Sequence, residues 1–315
     1  MSAFAAEIAA ARELLRAAAA DGASVLPCGR RSRLARHAPD ARPDRWLELA
    51  GLRGIVRLDA EDQTCEAGAG TAPADLDAEL APRGLMLAVD APCAAEGTLG
   101  GLMLAPDLSL LHRAYGPPRD QVLGGRWLLA DGTEVRTGAR VVKSVAGYDL
   151  TRLFLGSRGR LAACITLTLR LQPRPRALHA YRVVSPPLLR AAALPDPVWF
   201  FQPRAGAAYA AWDGIEPAHA TLAPCPIEEF AAARTACLDA FAALPARWAF
   251  DGAPEHAPDG ACDWNALQAG ARAGEGPAAG AVRTPPIADS SWLPALAAAC
   301  APDAPPFGAR APAPR

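Results

Sequence analysis

The chain has almost no lysine: Lys143 is the single one among 32 basic residues, and every other basic side chain is arginine. An ammonium retained in that background marks a position where a compact point charge does something a guanidinium does not. Excess charge of either sign is also missing, with 32 basic against 33 acidic residues in a chain of 315. That balance excludes the electrostatic footprint of a nucleic-acid binder and leaves no polybasic patch for a membrane surface. No run of about 18 uncharged apolar residues occurs, so no segment reads as a transmembrane helix. Clustered thiols are absent too. The eight cysteines (Cys28, Cys65, Cys93, Cys164, Cys225, Cys237, Cys262 and Cys300) form no C-x-x-C and stand near no histidine at zinc-ligand spacing. Scattered in this way they read as small buried hydrophobes, and no metal site is expected. An iron–sulfur centre needs grouped thiolates, so any electron chemistry belongs to another cofactor.

What is present begins with an Ala-rich opening over residues 2–20. Glu7, Arg12, Glu13 and Arg16 interrupt it, which makes it an amphipathic helix over residues 3–20 in place of a signal peptide. The expectation is a soluble, cytoplasmic protein. Its length suggests two domains. The first half alternates α and β: strands at Ser24–Leu26, Trp46–Leu49, Ile55–Leu58 and Gln63–Glu66, then a helix Ala74–Ala81 with Pro73 at its first position and Gly84 closing it. Arg126–Ala130 and Thr133–Arg136 flank Asp131-Gly132, which predicts a hairpin on a two-residue turn. A helix over Asp149–Leu155 is stopped by Gly156. Ile165, Leu167, Leu169 and Leu171 alternate with polar residues as a half-buried strand. Pro173 and Pro175 end it and mark a domain boundary. Beyond them, strands at Val198–Gln202 and Ala207–Trp212, a helix Ile227–Leu244 and a strand Trp248–Phe250 suggest a smaller α+β unit. From residue 252 onward Pro, Gly and Ala dominate, and the last dozen residues read as loose.

Three glycine-bearing loops lie between these elements, at 27–33, 97–101 and 156–159. Glycine lets backbone N–H groups approach a phosphate with no Cβ in the way. One such loop says little. Three of them point to a dinucleotide, although neither G-x-G-x-x-G after a first strand nor a P-loop sequence is present.

The ordered series Gly97-Thr-Leu-Gly-Gly101, Tyr115-Gly116, Arg119-Asp120, Val122-Leu-Gly124, Ala130-Asp-Gly132, Lys143, Ala146-Gly-Tyr-Asp149, Leu153, Gly156-Ser157 and Gly159 resembles the FAD-binding domain of the vanillyl-alcohol oxidase (PCMH-type) flavoproteins. Within that superfamily it is most similar to the FAD-binding E subunits of glycolate oxidase. The resemblance covers roughly residues 20–175 and is densest from 97 to 171. It implies an α+β fold: a PCMH-type FAD-binding domain of two α+β subdomains over 1–175, a smaller α+β cap-like domain over 176–300, and a loose tail at 301–315. It implies that the first loop and the Gly-Thr-Leu-Gly-Gly turn cradle the FAD pyrophosphate. Carried over residue by residue, the cofactor contacts are Gly29, Arg30, Ser32, Gly97, Thr98, Leu99, Gly100, Gly101, Gly147, Tyr148, Gly156 and Ser157. Asp120 and Asp149 cap or brace loops, and Lys143 braces the loop before the helix that borders FAD.

The sequence departs from the family pattern in named places. The first loop usually reads Gly-Gly-Gly-Thr/Ser-Lys; here it is Cys28-Gly29-Arg30-Arg31-Ser32-Arg33, where a guanidinium either replaces lost glycine amides at phosphate or obstructs them. Gly159-Arg160-Leu161-Ala162 stands for Gly-Thr-Leu-Gly, Ala105–Leu110 replaces a small-residue turn, and the usual Asn-Pro-Gly ending is missing. Covalent attachment in this superfamily often uses a histidine in the first loop, where Arg30, Arg31 and Ser32 stand, so FAD is expected to be non-covalent. His179, His219 and His256 are isolated, as surface or capping residues are, and no catalytic base can be named.

The resemblance implies an FAD subunit that oxidises a small 2-hydroxy acid to a 2-oxo acid. Its partners would be a second flavoprotein subunit and an iron–sulfur subunit that receives the electrons. The expected location is cytoplasmic, at the inner face of the membrane through those partners. The rival readings are a flavin-free assembly subunit that keeps the fold, and a free-standing flavin-dependent alcohol oxidase.

Overall fold

In the computed structural model the described residues are 3–37, 41–92, 94–106, 109–138, 149–184, 194–201 and 207–242. Lys143, Gly147, Tyr148, the strand expected at Trp248–Phe250 and the tail lie outside them.

The long helix α1 (Ala3–Asp21) precedes two parallel strands, β1 (Val25–Cys28) and β2 (Arg45–Glu48), with the short helix α2 (Leu34–His37) between them. A five-stranded antiparallel sheet follows. Its order is β3 (Ile55–Asp59), β4 (Thr64–Gly68), β8 (Ala163–Arg170), β6 (Val122–Leu128) and β7 (Glu134–Gly138). Against it lie α3 (Pro73–Leu80), α4 (Leu99–Leu104) and, after the short helix α5 (His112–Tyr115), α6 (Leu150–Phe154), while β5 (Leu85–Met86) pairs with β9 (Gln172–Pro173). The second half folds as a four-stranded antiparallel sheet with order β11 (Trp199–Phe201), β12 (Ala208–Asp213), β10 (Leu178–Val183) and β13 (Leu222–Pro224), backed by α7 (Ile227–Ala242). The chain is thus α+β.

Two layers of core sandwich the five-stranded sheet. Ile8, Ala11, Leu15 and Ala18, the buried stripe of α1, meet Leu128, Ala163 and Ile165 on one face. On the other, Leu76, Leu80, Leu99, Leu102, Met103 and Phe154 from the helices meet Cys164, Leu167 and Leu169. β8 is therefore buried on both faces, not half-buried, and even Thr166 is fully covered. Its alternation also changes phase. Between Arg126 and Trp127 the register against β8 jumps from Thr166 to Cys164, a bulge that puts Cys164 on the same face as Leu167.

The predicted hairpin forms, with a different turn. Leu129 N–H donates to the Thr133 carbonyl and Gly132 N–H to that of Leu129, so the loop is Ala130-Asp131-Gly132 with Gly132 at φ +82°. This is a type I turn closed by a left-handed glycine, the three-residue alternative to the two-residue turn expected. Asp131 caps it, accepting from the Thr133 N–H and hydroxyl.

The second sheet docks on the first unit through Met86, Ala88, Leu110 and Leu111, which contact Trp199, Phe201 and Phe230. At that junction the Asp90 carboxylate accepts from Trp199 Nε1 (3.0 Å) and faces Arg234 Nε at 3.6 Å. Burial pushes its carboxyl above the ordinary carboxylate range, opposed by the Arg234 charge and the Trp199 hydrogen bond. Among the cysteines, Cys65 and Cys164 are buried core thiols, and burial pushes Cys65 up to about 12. Cys28 and Cys225 are partly buried free thiols. Cys237 departs from the reading of scattered thiols, since it is disulfide-bonded.

Candidate functional site

A single short helix gathers the three glycine loops. Thr98 caps α4, its hydroxyl accepting from Gly101 N–H (3.2 Å), and the cap leaves Thr98 extended just before the first helical residue. The expected glycine-rich turn at 97–101 is thus a helix start. Leu99 anchors it in the core, fully buried. Gly29 of the first loop lies directly over Thr98: a Cβ there would meet Oγ1 at 2.5 Å and Cγ2 at 2.8 Å. At the other end of α4, the free carbonyls of Met103 and Leu104 accept from Gly156 N–H and Arg158 N–H, which satisfies part of the helix C-terminus.

Between these loops opens a cavity of about 120 Å³. Of the predicted contacts, Gly29, Arg30, Ser32, Thr98, Gly100 and Gly101 line it. Gly97, Leu99, Gly156 and Ser157 do not. Leu99 faces the core, and Ser157 is buried beside the cavity with an Oγ that has no hydrogen-bond partner among the described residues. Arg158 and Gly159 form that wall instead. The sequence signal for this shift of two residues is Gly159 itself, which closes the loop. Gly147 and Tyr148 fall outside the described residues.

The α4 amides are already engaged. Leu99 N–H donates to the Thr71 carbonyl (2.9 Å), Gly100 N–H to that of Ala69 (2.8 Å), and Gly101 N–H to the Thr98 cap. Of the amides of residues 97–101, that of Thr98 alone has no acceptor among the described residues. Donors with no acceptor run along the first loop, where the backbone N–H groups of residues 29–32 make no hydrogen bond among the described residues, and those of Thr98 and Gly159 stand beside them. Arg31 turns that loop at φ +59°, a left-handed conformation that costs roughly 1–2 kcal/mol for a residue with a Cβ. It is held by Glu48 (2.6 Å) and by stacking 4.6 Å from the Trp46 ring centre.

Among the described residues the charge in the cavity is of one sign: Arg30, Arg31, Arg33 and Arg158 line it, and no carboxylate does. Cys28 also faces it. Burial raises the Cys28 thiol, opposed by the Arg31 guanidinium, so it is a neutral group there. Such a lining suits an anion. Asp120 faces Arg152 at 3.8 Å and Asp149 caps α6 through Arg152 N–H, so both brace loops. His179 pairs with Glu216, and His219 with the Thr221 hydroxyl. Among the described residues no group of three His, Cys, Asp or Glu could hold a metal, and no helix is long and apolar enough to cross a membrane.

Residues 2–138 match the family described as FAD binding domain. With the α+β fold and the converging loops, that match makes this region, less than half of the chain, similar to a PCMH-type FAD-binding domain. The particular relatives are narrower. Over 137 residues the chain is 37% identical to "Glycolate oxidase subunit GlcE" of Escherichia coli (strain K12), 43% of this chain and 39% of that protein. It is 36% identical to "Glycolate oxidase subunit GlcD" of Bacillus subtilis (strain 168), over 39% of this chain and 26% of that protein. The chain thus spans well under half the length of these relatives. An alkyldihydroxyacetonephosphate synthase structure superposes with a TM-score of 0.51 at 19% identity, covering 60% of this chain and 36% of that one, which shows a shared fold alone.

The cofactor that the family binds is FAD, and the residues present fit it. Gly29 brings the first loop against Thr98 as no residue with a Cβ could, the amides of residues 29–32 have no acceptor among the described residues, and four guanidinium groups line the cavity with no carboxylate among the described residues.

Proposed function

We propose that this chain is an FAD-binding subunit of a glycolate oxidase-like complex, taking part in the oxidation of a small 2-hydroxy acid to a 2-oxo acid. The observation that carries the reading is the arginine-lined cavity where the three glycine loops meet, with no carboxylate among its described residues, largely within the segment that matches the FAD binding domain. The relatives' names support the substrate class, with glycolate oxidase subunits beside a "D-lactate dehydrogenase [cytochrome], mitochondrial" of Arabidopsis thaliana, 33% identical over 130 residues. In this reading residues 1–175 hold FAD without a covalent bond, and residues 176–300 shape the substrate side. A second flavoprotein subunit and an iron–sulfur subunit complete the complex, in the cytoplasm and against the inner membrane face.

Bound FAD supplies the two-electron acceptor for a C–H bond next to a hydroxyl. The chain's own residues do the rest. The first loop binds the anionic portion, Gly29 and Thr98 keep the wall of the cavity flat, and α4 holds the three loops at a fixed separation. The test is the visible spectrum of the purified protein, followed by anaerobic addition of glycolate or D-lactate, alone and with its partner subunits. The expected result is a yellow protein whose flavin bleaches with a 2-hydroxy acid. A colourless protein that takes up no added FAD sinks the flavoenzyme reading and favours an assembly subunit.

A further inference from the structure

Resting on the FAD reading, we propose that Arg30 is the charge partner of the cofactor's diphosphate, replacing by a guanidinium what this first loop lacks in glycine. Elimination among the four cavity arginines points to it. Arg31 is committed to Glu48 and Trp46. The buried Arg33 side chain donates to the carbonyls of Ala105 (3.1 Å) and Pro92. Arg158 donates to the His37 carbonyl at 2.9 Å. Arg30 is exposed at the cavity edge and has no ion pair or hydrogen bond among the described residues.

The backbone makes the same division. The first three amides of α4 are spent on Thr71, Ala69 and Thr98, while those of residues 29–32 have no acceptor. Among the described residues, an anion entering the cavity meets a run of unpaired amides along the first loop, with those of Thr98 and Gly159 beside it, and Arg30 is the one uncommitted cation on that loop. A guanidinium forms paired, charge-assisted hydrogen bonds to phosphate oxygens, which neutral amides do not match in strength. Binding through it is sensitive to salt in a way that binding through amides is not.

The test is equilibrium binding of FAD, ADP and riboflavin to the cofactor-free protein at low and high salt, in the wild type, Arg30→Gln and Arg30→Lys, with thermal unfolding as the folding control. The expected result is FAD and ADP affinity about tenfold lower in Arg30→Gln, a flatter salt dependence, partial recovery in Arg30→Lys, and riboflavin binding unmoved. Equal FAD affinity and equal salt slope in the wild type and Arg30→Gln overturn the proposal and leave the flavin reading standing. A wild type that binds ADP through Arg30 and not FAD keeps the proposal for a diphosphate and overturns the flavin. Binding of neither overturns both.

Discussion

At the scale of single residues, the contact between Gly29 and Thr98 sets the shape of the cavity. Any Cβ at position 29 pushes on the hydroxyl and methyl of Thr98, and that hydroxyl is also the cap of α4. Gly29→Ala is therefore expected to destabilise the protein by about 1–2 kcal/mol, the combined cost of a lost cap and local overpacking. Chemical denaturation measures it, and an unchanged midpoint would show that Thr98 moves aside freely. Glycine positions were legible in the sequence, because the residue type itself announces close approach or a turn. Which glycines face the cavity was not legible. Gly156 and Gly159 differ by three positions, and only the hydrogen bonds from Gly156 and Arg158 to the end of α4 decide that Gly159 is at the wall. The fate of the α4 amides was also hidden, because their acceptors on Ala69 and Thr71 are distant in sequence.

At the scale of elements, periodicity and punctuation located most of the strands and helices of the first half within a residue or two. Pro73 does open α3, with the chain passing through a short 3₁₀ turn to a left-handed Gly84. Where the reading failed, a partner was the cause. The alternation in β8 suggested one wet face, but α1 covers that face from a hundred and more residues away. β10 and β13 went unread because short strands after prolines carry little pattern of their own. The seam between β6, β7 and α6 offers a direct test of packing. Trp127 is fully buried against Phe154, ring centres 5.0 Å apart, and its N–H donates to the Thr137 hydroxyl, which also accepts from Thr151. Trp127→Ala is expected to cost about 3–5 kcal/mol, read from denaturant midpoints. A loss below about 1 kcal/mol would mean that the seam closes over the gap.

At the scale of the whole molecule, the second sheet is joined to the first unit by an apolar contact with one buried carboxylate at its edge. Because burial raises the Asp90 carboxyl in the folded state, the folded protein keeps that proton to higher pH than the unfolded chain does. The associated stability is present at acid pH and is lost as pH rises through the folded value. Asp90→Asn removes this dependence while keeping an acceptor for Trp199. The stability of the variant relative to the wild type should therefore climb as pH rises from about 4, the ordinary aspartate value, through the raised value of the folded state, followed by unfolding at a series of pH values. A flat difference would show that Asp90 ionises alike in both states. The junction itself was not legible, since nothing in the sequence near Asp90 names Trp199 or Arg234 as its neighbours.

The closed hydrogen-bonding of α4 has a consequence for how such a site changes over generations. A helix whose first amides are satisfied by Ala69, Thr71 and its own cap folds the same way with or without a ligand. The burden of binding then rests largely on one short surface loop. With Gly29 kept for its contact with Thr98, mutation can rewrite residues 30–32, exchanging glycines for arginines, without threatening the architecture. Foldability and recognition are thereby assigned to different segments, and a lineage can retune, trade or abandon the cofactor while inheriting the scaffold intact.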